Sequence, residues 1–235
     1  MGRPEKPVDR TVPARAKLAD FLRDRKTAVS LTHQQMSDLM NGSPSKATFE
    51  RAASGASVPL WDTVEAFVEV TVTKEEELAS SISLALARGQ ELWIRARRAT
   101  RAPYYVHKAP DPSLISSTAD LSRALRHQHV WAGCPTPGEM ERMSGPGELP
   151  SSTTRRIIEG STLPVDPTQA IAFLKACYVL APVDLEPWLA ATVQVFEKKS
   201  TTRYPGRWTS AHSKLLKEIQ AASDEQSSPP LLRAA

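Results

Sequence analysis

The chain is predicted to be all-α, with two tandem helical units built on one plan. Three observations predict this. Strand patterns are nearly absent: the best candidate, Val68-Glu69-Val70-Thr71-Val72, continues the apolar face of Val64 and Phe67 and so reads as the β-branched end of a helix. Helix start signals, by contrast, recur along the whole chain. Finally, one order of signals occurs twice, from Leu18 to Val72 and again from Leu121 to Val195. Each copy opens on Leu-x-x-x-Leu (Leu18/Leu22 and Leu121/Leu125). Each then carries a capping box, Thr32-His33-Gln34-Gln35 or Thr136-Pro137-Gly138-Glu139, followed at once by Met36 or Met140. A Gly/Ser/Pro turn and a small-polar segment come next, and the segment stops at Gly55 or Gly160 with Pro59 or Pro164 beyond. Short helix, tight turn, short helix is how a helix-turn-helix unit reads.

In the first copy, Pro13 precedes Leu18, Phe21 and Leu22 on one face and predicts a helix over 14–26. Thr32 caps a second helix ending near Asn41-Gly42, and Ser45 caps a third that closes at Gly55. Trp61 to Val72 forms the fourth. Thr73-Lys74-Glu75-Glu76 is a further capping box, from which one long helix runs to about Arg98 with Leu78, Ile82, Leu86 and Trp93 as its stripe. Its end is basic (Arg95, Arg97, Arg98, Arg101), as suits a helix C-terminus. The proline-containing stretch 100–116 is the expected linker. The second copy then predicts helices from Ser117 to about His129, from Thr136 with Pro137 at the favoured first position, over 151–159, from Asp166 to about Tyr178, and from Asp184 with Leu185, Trp188, Leu189 and Val193 inward. Trp93, Trp131 and Trp188 are expected core anchors. The organisation is thus a basic arm at 1–13, a first domain at 14–99, the linker at 100–116, a second domain at 117–198, and a basic segment, a short helix (Leu215, Leu216, Ile219) and a polar tail over 199–235.

Composition narrows the function. With 40% hydrophobic and 24% charged residues, the chain is a folded protein rather than a disordered one. A net charge of +4 and a pI near 9.1 are compatible with nucleic-acid binding, though modest for a general polyanion binder. Cys134 and Cys177 are the only cysteines, with no CxxC spacing, which fits a reducing compartment. The sequence begins without a signal-peptide pattern and has no apolar run of membrane-span length, so no membrane association and a cytoplasmic, nucleoid-associated location are expected.

In a helix-turn-helix unit the second helix lies across the DNA backbone and the third enters the major groove. That puts Thr32, His33 and Gln34 near phosphate, and Lys46, Ala47, Glu50 and Arg51 on the groove side, with Phe49 and Ala52 turned to the core. Arg51 has two readings: a surface arginine paired with Glu50 or Asp38, or a cation reaching a base or phosphate. The matching positions of the second copy are Ser151, Ser152, Arg155 and Arg156, with Thr136 as cap. There the turn is lengthened by Gly145-Pro146-Gly147-Glu148, and Pro150 stands where a polar cap is expected.

The stretches Leu31-Thr-His-Gln-Gln-Met, Asn41-Gly42-Ser43-Pro44 and Ser45-Lys-Ala-Thr-Phe-Glu-Arg-Ala-Ala-Ser-Gly55 resemble the helix-turn-helix of the bacterial Xre (lambda-repressor-like) superfamily. The resemblance covers about 3–72, and about 118–195 as a diverged copy. It implies two tandem lambda-repressor-like four- or five-helix domains and a transcription regulator. By position it makes Lys46, Ala47 and Arg51 base-reading residues, with Ser45, Thr32 and His33 on phosphate.

Enzyme readings find no motif. The five histidines lack HExxH spacing, no glycine loop follows a strand, and neither cysteine has a histidine beside it, so no catalytic residue, metal or cofactor is expected. Gly2-Arg3-Pro4 lacks the preceding arginine of a minor-groove hook and reads as a basic arm with Lys6 and Arg10, suited to tracking phosphate. Lys198, Lys199, Arg203, Tyr204, Arg207 and Trp208 are either a grip for DNA or a partner, or a plain linker. The expected function is sequence-specific binding of double-stranded DNA by a repressor acting through occlusion. If both units bind, they cover half-sites ~34–36 Å apart. The rival readings are a protein–protein adaptor in a larger complex, including a homodimer, and an architectural or replication factor.

Overall fold

The computed structural model describes residues 5–198, together with Leu215 and Lys217 of a later helical segment. Among these residues all regular structure is helical: α1 (Pro13–Ala28), α2 (His33–Leu39), α3 (Lys46–Ala52), α4 (Trp61–Val70), α5 (Lys74–Leu78), α6 (Ile82–Arg101), a 3-10 turn (Pro112–Leu114), α7 (Thr118–Trp131), α8 (Pro137–Ser144), α9 (Ser151–Glu159), α10 (Pro167–Ala176) and α11 (Pro182–Lys198). The chain divides into two compact units, Met1–Pro103 and Tyr104–Ala235. No described helix is long and apolar enough to cross a membrane.

The helix ends follow from local chemistry. Thr32, Thr73 and Thr136 each form a reciprocal capping box with Gln35, Glu76 and Glu139, pairing backbone N–H groups that a helix start leaves without partners. Ser45, Ser117 and Asp166 cap α3, α7 and α10 by accepting from the backbone N–H three residues on. Asp184 does not open its helix. It lies in the first turn of α11, which starts two residues earlier at Pro182.

In the first unit, α1 supplies Leu18, Ala19 and Leu22, α2 Met36, α3 Phe49, and α4 Val64, Phe67 and Val68, all essentially sealed from solvent. Phe67 meets Phe49 edge-on at 5.4 Å between ring centres, which seats α3 on α4. The helix α6 packs along α1 and α4 through Ala85, Gly89, Leu92, Trp93 and Ala96. Gly89 permits that approach, since a Cβ there would stand 3.4 Å from Phe21 and 3.5 Å from Val68. The Trp93 indole N–H donates to the Pro59 carbonyl at 2.9 Å.

One expectation is corrected. The single long helix from Thr73 to Arg98 is two helices, α5 and α6, parted at Ser80, whose φ is +51°. Ser81 N–H reaches the Glu76 carbonyl (2.9 Å) and Ser80 N–H that of Glu77 (3.2 Å), the bond pair of a Schellman stop. The break re-aims the apolar stripe: Leu78 ends 88% exposed, and Ala85, Gly89 and Leu92 take the inward positions. The long basic connector thus becomes, as α6, part of the first unit's core.

The second unit encloses Leu121 and Leu125 of α7, Met140 of α8, Ile157 of α9, Phe173 and Leu174 of α10, and Leu185, Trp188 and Leu189 of α11. Trp131 is only half-buried. Part of the expected linker belongs to this unit: Ile115 joins the core, and the 3-10 turn Pro112–Leu114 lies against α11. Of the short C-terminal helix, Leu215 packs on the core, whereas Leu216, Ile219 and the cations and aromatics over 199–208 lie outside the described residues.

Candidate nucleic-acid interface

The first unit presents α3 with one face sealed and one open. Phe49 and Ala52 face inward, while Ser45, Lys46, Ala47, Glu50 and Arg51 are exposed. Between α2 and α3 the chain turns through Asn41 and Gly42, with φ of +53° and +82°, and a cis Ser43–Pro44 peptide before Ser45 caps the helix. The Gly42 N–H donates to the Ser37 carbonyl at 2.8 Å, closing the end of α2.

The exposed face is partly self-paired. Lys46 Nζ stands 3.9 Å from a Glu50 carboxylate oxygen one turn on. Arg51 pairs with neither Glu50 nor Asp38: its Nη2 donates to Thr48 Oγ1 at 3.3 Å, and Thr48 is itself bonded to Ser45 Oγ at 3.0 Å. Asp38 accepts instead from Gln34 Nε2 at 2.8 Å, so Gln34 is exposed with its amide already engaged. Thr32 is exposed with its hydroxyl committed to the capping box. A shallow hollow lined by Gly42, Ser43, Ser45, Thr48, Asp62 and Thr63 opens beside the start of α3.

His33 departs from its expected place. It is 7% exposed, its ring edge-on to Phe67 at 6.2 Å, and so it belongs to the core beneath α2 rather than to a phosphate-facing turn. Among the described residues its Nε2 has no hydrogen-bond partner, and it lies 3.9 Å from Glu5. Burial, with the nearby Lys26 charge adding to it, holds the imidazole below its ordinary pKa, although Glu5 and Glu50 pull the other way. The apolar residues around His33 repeat at helical spacing whether the imidazole points in or out, so the sequence does not decide its side.

The N-terminal segment is likewise not a free basic arm over its described part. Glu5 accepts from Lys26 Nζ at 2.7 Å and lies 3.4 Å from Arg23, while the Lys6 carbonyl accepts from Arg23 at 2.8 Å. Burial raises the Glu5 pKa, but the Lys26 hydrogen bond and the charges of Lys26, Arg23 and His33 outweigh it, leaving the carboxyl lowered. Arg10 makes two 3.0 Å hydrogen bonds to Asp20. Arg3 lies outside the described residues.

In the second unit α9 repeats the register of α3. Thr154 and Ile157 are buried where Phe49 and Ala52 are, Ser152, Arg155 and Arg156 are exposed, and Ser151 is half-buried. The longer turn does not disturb this, because Leu149 at its end is fully buried and pins the start of α9. Pro150 provides no side-chain cap. Arg155 and Arg156 have no carboxylate within ion-pair distance among the described residues. Sequence reasoning missed Arg126 of α7. A Cβ on Gly160, at the end of α9, would stand 3.3 Å from the Arg126 Cζ and Nε, so this guanidinium lies against the helix end. Gly160 is visible in the sequence as the stop of α9, where its φ is +80°, but only the packing of α7 on α9 brings Arg126 to it.

No group of three or more His, Cys, Asp or Glu side chains able to hold a metal ion occurs among the described residues. His129 is buried and hydrogen-bonded to the Pro135 carbonyl at 2.8 Å. No protein-family model, curated protein or solved structure matches the chain.

Proposed function

We propose that the protein, built of two lambda-repressor-like helix-turn-helix units, binds double-stranded DNA sequence-specifically through the first of them and regulates transcription by occluding its site. The observation that carries this reading is the outward row Lys46, Ala47, Glu50 and Arg51 on a short helix whose opposite face is locked by Phe49 and Phe67. A rigid helix with a cation, a small residue, a carboxylate and an arginine at one-turn spacing suits base-edge readout. Arg51 can take the O6 and N7 acceptors of guanine, Glu50 can accept from a cytosine amino group, and Ala47 leaves room for a thymine methyl. The Lys46–Glu50 pair supports selectivity over bulk attraction, since a carboxylate on the groove face penalises sites that offer it no donor.

A second reading, a protein–protein adaptor, is favoured by the exposure of Leu78 (88%) and Leu84 (72%) around the α5–α6 break. Selection of bound duplexes from a random pool separates the two. The regulator reading expects the wild type to enrich a motif at low salt and the Lys46→Ala/Arg51→Ala variant to lose it. A wild type that enriches nothing contradicts that reading and favours the adaptor.

A further inference from the structure

The two units differ in charge at matched positions of their exposed faces. Matched through their threonine caps, Arg142 of α8 occupies the place of Asp38; matched through the first residues of α3 and α9, Arg155 occupies the place of Glu50. All four side chains are exposed, so at two positions a carboxylate of the first unit is an arginine in the second. On α9, Ser152, Arg156 and Gly160 succeed one another one turn apart on a single ridge, with Arg155 beside it. Gly160 contributes no side chain, and the Arg126 guanidinium lies in that space, extending the ridge by a third cation. Arg126 spends only its Nε, on the Ser122 carbonyl at 3.3 Å, and its terminal nitrogens have no acceptor among the described residues. Glu159 is the carboxylate on α9 itself, three residues from Arg156 and four from Arg155, and it pairs with neither.

We propose that Arg126, Arg155 and Arg156 form a phosphate-binding row that grips the backbone of duplex DNA without reading its sequence, while α3 of the first unit does the reading. The proposal rests on the DNA-binding reading above and adds a division of labour to it. Three exposed guanidiniums present several donors each, in the fork geometry that matches phosphate oxygens. On α3 the position of Arg155 is held by Glu50, which lies 3.9 Å from Lys46, and Arg51, at the position of Arg156, donates to Thr48. Backbone contacts of this kind supply affinity and register but no base information, and each one steepens the salt dependence of binding.

The test titrates the full chain, followed by fluorescence anisotropy, against a labelled random-sequence duplex between about 50 and 200 mM salt. The Arg126→Gln/Arg155→Gln/Arg156→Gln variant is expected to lower the slope of log affinity on log salt by about 2–3, weaken random-duplex binding on the order of a hundredfold at low salt, and still enrich the wild-type motif from a random pool. Glu159→Gln is expected to tighten random-duplex binding several-fold, a gain that misfolding cannot produce. A triple variant that keeps the wild-type slope, or a Glu159→Gln protein no tighter than wild type, overturns the row while leaving the DNA reading in place. A wild type that binds no duplex at low salt overturns both.

Discussion

The guanidinium of Arg25 grips the carboxylate of Glu76 with two hydrogen bonds, of 2.7 and 2.9 Å, across the junction where α1, α4 and α5 meet. The same guanidinium donates to the Thr71 hydroxyl at 3.1 Å and to the Thr71 and Val68 carbonyls at 2.9 and 3.2 Å, capping the end of α4 from the side. Glu76 in turn accepts from the Thr73 N–H at 3.0 Å, so one carboxylate both starts α5 and ties it to α1. Arg25→Ala removes the donor of the buried Thr71 carbonyl and the ion-pair partner of the half-buried Glu76, and is expected to destabilise the first unit by about 1–3 kcal/mol. Arg25→Lys should recover only a fraction, because an ammonium cannot span the fork. Hydrogen exchange of the α1 and α4 amides reads the loss locally, which matters in a chain of two units.

The acid response has two windows with the same sign. His33 is held below 6.5, first by burial, so as pH falls past 6.5 the unfolded chain takes up a proton before the folded one, and stability is lost until the lowered folded value is passed. Glu76 is held below 4.5, first by the Arg25 hydrogen bond. Its contribution is complete above 4.5 and disappears as pH falls through the lowered folded value. Urea unfolding at a series of pH values should show His33→Leu flattening the upper window and Glu76→Gln the lower one.

Gly42 and Gly55 both sit in the left-handed region, with φ of +82° and +74°, yet they differ in surroundings. A Cβ at Gly42 meets nothing within 4 Å, whereas at Gly55 it would lie 2.7 Å from the Asp9 carbonyl oxygen. Gly42→Ala should therefore cost only the backbone strain, about 1 kcal/mol. Gly55→Ala should cost more and also break the 2.9 Å bond from Asp9 N–H to the Ser54 carbonyl. Limited proteolysis within residues 5–12 should accelerate in the second variant and not in the first.

The two thiols should react in a fixed order. Burial pushes the Cys177 thiol well above its ordinary pKa, with the Cys134 charge adding to it, while Cys134 is partly exposed. A chromogenic disulfide reagent should modify one thiol in the native protein and the second only on unfolding, and Cys134→Ser should abolish the fast phase.

Much of the fold was legible because it is local. The threonine boxes depend on a residue and its third neighbour, both visible in the sequence, and they stand where the spacing puts them. Helix stops were legible only where the left-handed residue is of a favoured type. Asn41-Gly42 announces itself, but Ser80 and Tyr178, with φ of +51° and +60°, do the same work without the signal. That is why α5 and α6 read as one helix. The site was half legible. Register put Lys46, Glu50 and Arg51 outward and Phe49 inward. The side taken by His33, the Gln34–Asp38 bond and the place of Arg126 depend on elements distant in sequence or on side-chain choices that periodicity does not encode.

The central claim is that α3 reads base pairs, and a mutant cycle on Arg51 tests it most directly. A duplex enriched by the wild type is compared with its single base-pair variants, for wild type and Arg51→Ala. The account predicts that one base pair, worth about 1–3 kcal/mol of discrimination to the wild type, becomes indifferent to the variant while the other positions keep their preferences. Discrimination by Arg51→Ala equal to that of the wild type at every position would contradict it.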